Sequence, residues 1–145
     1  MLVFKFGGAS VKDAAGIVNL ARVVNLYRDE KLLIVVSAMG KTTNALENLT
    51  QAYLNQAGDV HEIFEEIKQY HYRIMAELFD QSDPVFDEVA NTFVEIDWMI
   101  EDEPHDDPDF AYDQIVSIGE LVSTRIVSAY LNKEGLKTQW IDARG

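Results

Sequence analysis

Residues 2–10, with the sequence LVFKFGGAS, decide the fold of this chain. A short apolar strand carries Lys5 near its end, and the adjacent glycines Gly7 and Gly8 lead into a helix-like segment. Glycines let backbone N–H groups approach an anion closely, and the start of a helix adds unpaired N–H groups with a partial positive charge. The pattern therefore predicts a phosphate-binding turn, to which Lys5 adds a full positive charge. An ordinary strand-to-helix turn with a surface lysine fits the same residues, so both interpretations stay open.

The composition limits the classes of protein to which the chain can belong. Its 145 residues, 48% of them apolar, suit one domain with a substantial core. A formal charge of -13 argues against non-specific nucleic-acid binding and against docking on an anionic membrane. An anionic substrate would therefore need a local positive pocket. The chain has no cysteine, no recognisable signal peptide and no apolar run long enough for a membrane span, so we expect a soluble cytoplasmic protein.

The order of the predicted elements indicates an α/β fold with a mainly parallel sheet, because the first three form a βαβ unit. The second strand is apolar throughout, which is typical of a strand covered on both faces. The predicted elements are, in chain order, a strand at 2–6, a helix at 13–28, a strand at 31–37, a helix at about 43–56, helices at 59–80 and 84–101, a helix at 110–132 that ends near Gly135, and a strand at 137–142.

The middle of the chain changes character. The segments 59–80 and 84–101 each carry an apolar stripe at three- and four-residue steps, with a charged opposite face. We expect an antiparallel helical pair, inserted into the domain at about 58–103. An acidic run with two prolines, residues 101–108, should form a solvated loop after the pair. The three histidines lack the spacing of metal ligands, so no metal site built from side chains is predicted.

Glu120 is the one charged residue on the second face of the helix at 110–132. Its neighbours on that face are small or apolar, which predicts a helix that is buried on two sides with a carboxylate inside. A buried carboxylate needs a partner, because leaving a charge without water costs several kcal/mol (roughly). A structural salt bridge, for example to Arg125, or an exposed position at the helix edge are the alternatives.

The polar residues that follow the two strands should meet at one edge of the sheet, because ligands of open α/β sheets bind beyond the carboxyl ends of the strands. Ser37 ends the second strand and Thr43 lies where the next helix begins, so both would join Lys5 and the two glycines there. Thr43 could instead be a plain N-cap. We expect Lys41 to be solvated.

Taken together, these segments resemble the aspartokinases, which belong to the amino-acid kinase family. Residues 5–11, KFGGASV, look like the opening K-F-G-G-T-S-V of that family. Residues 35–44, VVSAMGKTTN, are similar to its second motif, V-V-S-A followed by a short turn and T-N. Residues 119–125, GELVSTR, look like its G-E-x-x-S-x-R helix, and residues 140–144 match the strand that closes this part of the domain. The threonine–asparagine pair and G-E-x-x-S-x-R point to the aspartate-specific branch.

The resemblance implies a three-layer α/β/α amino-acid kinase-like fold and transfer of phosphate from ATP, with Mg²⁺, to the side-chain carboxylate of L-aspartate. This is the first step of the pathway to lysine, threonine and methionine. The residues expected to bind ATP and its phosphates are Lys5, Phe6, Gly7, Gly8 and Ser10, with Lys5 also catalytic by neutralising the transferring phosphoryl group. The residues expected to bind aspartate are Ser37, Thr43 and Glu120, with Glu120 pairing with the substrate ammonium. Ser123 and Arg125 belong to the same motif, and Arg125 is expected to be structural.

Two departures from the family pattern matter. Ala9 replaces the usual threonine, and Ser10 is the residue that could compensate for the lost hydroxyl. The catalytic domain of the family is about twice as long as this chain, beyond the usual size of one domain. We therefore expect residues 1–145 to be the N-terminal, amino-acid-binding part of a catalytic domain, inactive alone and a homo-oligomer as part of its full-length parent.

Two other hypotheses remain open. The first is a related kinase that acts on another carboxylate or on a carbamate, against which Thr43 and Glu120 count. The second is a non-catalytic acidic α/β interaction module that uses the helical pair.

Overall fold

The structure is a computed structural model that describes residues 1–104 and 107–142. Strands β1 (Leu2–Phe6) and β2 (Leu32–Val36) pair in parallel, with Leu2 opposite Leu32 and Phe6 opposite Val36. A short 3₁₀ helix, Gly8–Val11, and helix α1 (Ala14–Asn25) connect them. The Asp13 side chain accepts a hydrogen bond of 2.8 Å from the Gly16 N–H and so caps α1. The predicted βαβ unit is confirmed.

The remaining predicted helices are confirmed, with ends that differ by a few residues. They are α2 (Thr42–Leu54), α3 (Val60–Leu78), α4 (Val85–Glu101) and α5 (Pro108–Lys133). Pro108 occupies the first turn of α5, where its missing N–H costs nothing. Gly135 adopts a φ of +83°, and the N–H of Leu136 reaches back to the Leu131 carbonyl at 2.9 Å. Gly135 therefore ends α5 as predicted.

The helices share one hydrophobic core with the sheet. Helix α5 packs against α2 and α4, and α3 packs against α2 and α1. The rings of Phe64 on α3 and Phe93 on α4 meet edge to face, with centroids 5.8 Å apart. The pair α3–α4 is thus continuous with the rest of the core. The largest fully buried side chains are Phe64, Phe93, Ile17, Leu20, Met39, Leu46, Leu49, Met75, Ile96, Ile115, Ile118 and Ile126.

The expectation that β2 is covered on both faces is wrong for this chain. Side chains along the two strands alternate, so that one face of the sheet turns towards the core and the other towards solvent. Val3, Leu33 and Val35 lie on the open face and are 54%, 43% and 42% exposed. Within the described residues, helices cover only the face of the sheet that turns towards the core. The α/β class and the parallel pairing are as predicted.

The predicted strand at 137–142 is also wrong. This segment has no regular secondary structure and lies along α5 instead. The Thr138 N–H donates to the Asn132 side chain at 2.7 Å, and the indole N–H of Trp140 donates to Thr124 Oγ1 at 2.8 Å. Side chains of α5 therefore hold this segment along the helix. Residues 143–144 of the closing motif and residues 105–106 of the acidic loop lie outside the described residues.

None of the helices within 1–104 and 107–142 is both long and apolar enough to cross a membrane.

Candidate functional site

The glycine turn after β1 is held in place by backbone contacts. Gly7 is extended and precedes the 3₁₀ helix without any side-chain cap, so the first N–H groups of that turn are not used by a capping side chain. The Ser10 N–H donates to the Gly7 carbonyl at 3.0 Å. A Cβ on Gly7 would meet nothing within 4 Å, which leaves open space beside its backbone. An anion could approach this turn closely.

A second loop, residues 37–41 after β2, lies against the glycine turn. The Gly40 N–H donates to the Gly8 carbonyl at 3.0 Å. A Cβ on Gly8 would lie 2.8 Å from the Gly40 carbonyl oxygen and 3.0 Å from that of Ala38. Only glycine at position 8 permits this approach. The two loops that follow the parallel strands therefore form one unit, as the sheet-edge argument predicts.

Helix α2 begins one residue earlier than Thr43. Its N-cap position is Lys41, without a side-chain cap, and Thr42 is its first helical residue. The alternative that Thr43 is a plain N-cap is therefore wrong. Thr42 is buried, whereas Thr43 is exposed on the first turn of the helix, next to the loop 37–41. The Thr43 hydroxyl is thus accessible to a ligand at this edge.

Helix α5 reaches the same edge of the sheet. The buried Ser123 donates a hydrogen bond of 2.7 Å from its hydroxyl to the Ser37 carbonyl. One turn earlier, a Cβ on Gly119 would lie 3.1 Å from the Cβ of Ala38. Glu120 follows Gly119 directly and therefore lies on the α5 turn that packs against the loop 37–41.

The prediction that Glu120 is buried is wrong, because its side chain is exposed. It shares a helix face with Val127 and Leu131, which are 2% exposed, but it lies two to three turns nearer the start of α5. No ion pair of Glu120 forms with any residue in the described ranges. The neighbours along this face are buried as expected, but Glu120 itself has the exposed position that was the alternative.

Arg125 does not pair with Glu120. Its guanidinium stacks on the Trp140 ring at 3.6 Å from the centroid and lies 4.0 Å from a Glu88 carboxylate oxygen. These contacts fit the structural role expected for Arg125. A hollow of about 300 Å³ near it, lined partly by Glu88 and Trp140, contains none of the predicted site residues.

Lysines provide the positive charge at this edge. Lys5 lies opposite Val35 in the sheet and is exposed on the open face. Lys12 and Lys41 are exposed in or beside the two loops. On a chain with a formal charge of -13, an anionic substrate needs positive charge of this kind near its site. Phe6 is half-buried, and its ring meets that of Phe4 and packs against the core.

Sequence reasoning missed Tyr70, which contacts the site from α3. Its hydroxyl donates to the Lys12 carbonyl at 2.5 Å, across 58 residues of chain. A Cβ on Gly40 would lie 2.6 Å from the same hydroxyl oxygen. Tyr70 lies within the amphipathic pattern of α3, and no local motif marks it as a site residue.

The chain belongs to the amino acid kinase family, whose model matches residues 1–145. Within that family it is similar to aspartokinases. Aspartokinase 1 of Arabidopsis thaliana, a chloroplastic protein, is 35% identical over 150 residues, which cover 97% of this chain and 25% of the relative. The bifunctional aspartokinase/homoserine dehydrogenase 2 of Escherichia coli is 28% identical over 142 residues, 97% of this chain and 17% of the relative.

A solved structure of an aspartokinase is also similar to this chain. Aspartokinase III of E. coli, in a complex with aspartate and ADP, superposes with a TM-score of 0.81 at 26% identity. The match covers 99% of this chain and 31% of that protein. The amino-acid kinase fold predicted from the sequence is thereby confirmed. The chain spans about a quarter or less of the length of the two curated relatives described above.

Proposed function

We propose that this chain is the N-terminal, amino-acid-binding part of an aspartokinase, which transfers phosphate from ATP to the side-chain carboxylate of L-aspartate to form 4-phospho-L-aspartate. The observation that carries the proposal is the meeting of three elements at one edge of the sheet: the Gly7–Gly8 turn with Lys5, the loop 37–41, and the α5 turn that bears Glu120. The solved relative described above has aspartate and ADP bound, which fits a site of this kind.

The chemistry requires little beyond positioning and neutralisation of charge. The side-chain carboxylate of aspartate is already ionised at neutral pH, so no general base is needed. The difficulty is the approach of one anion to another, which cationic groups and oriented N–H donors overcome. In this proposal Lys5 neutralises the transferring phosphoryl group, and the N–H groups of Gly7 and Gly8 donate to phosphate oxygens. The hydroxyl of Ser10 and the backbone of Phe6 complete the nucleotide side.

The substrate side uses residues from the other two elements. Glu120 is exposed and has no ion-pair partner within the described ranges, so its carboxylate is free to hold the ammonium group of aspartate. Ser37 is exposed in the loop 37–41 and Thr43 on the first turn of α2, and their hydroxyls can donate hydrogen bonds to the bound amino acid. The ammonium distinguishes aspartate from a substrate whose amine is acylated, because an acylated amine carries no charge for Glu120.

Mg²⁺ fits this chain only as a companion of the nucleotide. Among the described residues there is no cluster of three or more carboxylate, imidazole or thiolate side chains that could hold a metal ion. A magnesium ion that accompanies ATP is bound largely by phosphate oxygens and water, and it neutralises phosphate charge there. We assign no step to a metal ion held by this chain.

A coupled assay for ADP in the full-length protein tests the proposal, with L-aspartate and N-acetyl-L-glutamate as competing acceptors. We expect turnover with aspartate, a fall in kcat of about 10²–10³ for Lys5→Ala, and a rise in the KM for aspartate of about 10-fold or more for Glu120→Gln. Lys31→Ala, at the opposite end of the sheet, and Asp113→Asn, on the same helix as Glu120, are the matched controls. Turnover with the acylated acceptor alone, or a Lys5→Ala variant with unchanged kcat, would contradict it.

Three further parts of the proposal concern the 145-residue chain and the whole protein. We propose that residues 1–145 alone have no turnover, that the full-length protein is a homo-oligomer, and that it works in the cytoplasm. Phosphorylation of aspartate by the 145-residue chain in the same assay would refute the first statement. Light scattering of the full-length protein and cell fractionation test the other two.

A further inference from the structure

Tyr70 joins the helical pair to the glycine turn. Its ring lies on α3 and its hydroxyl donates to the Lys12 carbonyl, which belongs to the residue directly after the 3₁₀ helix Gly8–Val11. Burial raises the pKa of the Tyr70 hydroxyl, and the charge of Asp13 raises it further. The hydroxyl therefore stays protonated at neutral and mildly alkaline pH and remains a donor.

The same hydroxyl also contacts the loop 37–41, at Gly40. Gly40 has a φ of +54°, a conformation that favours glycine, and its missing side chain leaves the space that the Tyr70 hydroxyl occupies. A Cβ there would lie 2.6 Å from the hydroxyl oxygen. Because the Gly40 N–H bonds to the Gly8 carbonyl, Tyr70 contacts both loops at their junction. One side chain thus limits the movement of the glycine turn and of the loop 37–41 together.

The other side of Tyr70 is anchored in the core of the helical pair. Its ring meets that of His71 edge to face at 5.2 Å, and His71 meets Phe93 of α4 at 5.6 Å. His71 and Phe93 are both fully buried. A tyrosine fixed in this way has few rotamers available, so its hydroxyl is a rigid support for the loops.

We propose that Tyr70 is a positioning residue for phosphate binding: it holds the Gly7–Lys12 turn against Gly40, so that the helical pair α3–α4 sets the geometry in which the glycine N–H groups meet the nucleotide. This inference rests on the proposed function. It assigns the helical pair a role at the nucleotide site, although neither of its helices supplies a predicted ligand-binding residue.

The test compares Tyr70→Phe with Tyr72→Phe in the full-length protein. Tyr70→Phe removes only the hydroxyl and keeps the ring packing, so the variant should fold normally. Tyr72 lies two residues further on the same helix and is half-buried, and its ring meets that of Phe93 at 6.0 Å. No hydrogen bond joins Tyr72 to either loop within the described residues. Two quantities are measured: amide hydrogen exchange in the segments 7–12 and 37–41, and the separate KM values for ATP and aspartate together with kcat.

We expect Tyr70→Phe to speed exchange in both segments by about fivefold or more and to raise the KM for ATP by about five- to tenfold, the effect of one lost hydrogen bond. The KM for aspartate and kcat should change less than twofold (roughly), and Tyr72→Phe should behave as the unchanged protein. A purely structural tyrosine would instead lower thermal stability and affect all kinetic constants alike.

The two proposals fail in different ways. Absence of phosphate transfer in the unchanged protein refutes the proposed function, and the exchange rates alone then decide whether Tyr70 holds the loops. Exchange in Tyr70→Phe equal to that in the unchanged protein overturns the inference in every case. In an active enzyme, an unchanged KM for ATP in Tyr70→Phe overturns it as well.

Discussion

Replacing Gly8 by alanine should destabilise the chain although it adds only one methyl group. The new Cβ would lie 2.8 Å from the Gly40 carbonyl oxygen and 3.0 Å from that of Ala38, whereas ordinary contacts begin at 3.4 Å. Both neighbours are backbone atoms, so relief requires the two loops to move apart and weakens the bond between Gly40 and Gly8. Overpacking of this kind costs about 1–3 kcal/mol. Alanine also lowers the conformational entropy of the unfolded chain, which stabilises the fold by about 0.4–1 kcal/mol. We expect a net loss of about 1–2 kcal/mol.

Gly7→Ala is the matched control on the neighbouring residue. A Cβ there meets nothing within 4 Å and the backbone has a φ of -75°, which alanine adopts without strain. Urea unfolding of the chain, followed by far-UV circular dichroism, should therefore show a change within about 0.5 kcal/mol for Gly7→Ala. In the full-length protein the same variant should still raise the KM for ATP, because its methyl group occupies the space proposed for phosphate. Equal stabilities of Gly8→Ala and the unchanged chain would refute the steric argument.

Three further predictions concern side chains packed against neighbouring segments. Burial lowers the pKa of His71 from 6.5 to about 4. The unfolded chain therefore binds a proton at this histidine more readily than the folded chain, and stability falls as the pH drops from 6.5 towards 4. Between pH 7 and pH 5 this residue should cost about 2 kcal/mol, and His71→Phe should remove that part of the pH dependence in urea unfolding. Ser123→Ala should lose about 1–2 kcal/mol in the same assay, because the Ser37 carbonyl loses its donor. Arg125→Met should lose about 0.5–1 kcal/mol and speed amide exchange in the segment around Trp140, whose ring it no longer stacks on.

The histidine and serine variants each have a control in the same part of the chain. His61→Phe replaces an exposed histidine on the same helix as His71 and should leave the pH dependence unchanged. Ser117→Ala removes a hydroxyl that bonds only within α5, at 3.2 Å to the Gln114 carbonyl, and should cost less than Ser123→Ala. A steep pH dependence that persists in His71→Phe, equal losses for the two serines, or exchange unaffected by Arg125→Met would contradict the respective prediction.

The structure bears out the elements that local patterns specify and departs from the sequence where distant contacts decide. The β1–α1–β2 unit and the four later helices were predictable because side-chain periodicity and helix-ending residues such as Gly135 act locally. The strand at 137–142 was not, because a strand also needs a partner, and here Asn132 and Thr124 of α5 take the hydrogen bonds. A strand-like pattern indicates that a segment can form a strand, but it does not indicate whether a partner strand lies beside it.

The site divides in the same way. The sequence by itself determined the glycine turn, its lysine and the edge of the sheet at which the loops with the candidate binding residues meet. In a parallel βαβ unit both strands run in the same direction, so the loops that follow them lie at the same edge. Only the tertiary structure decided that Glu120 is exposed, that Arg125 stacks on Trp140, and that Tyr70 reaches the loops from 58 residues away. Burial and long-range hydrogen bonds depend on where helices cross, and that geometry comes from the packing of the whole core.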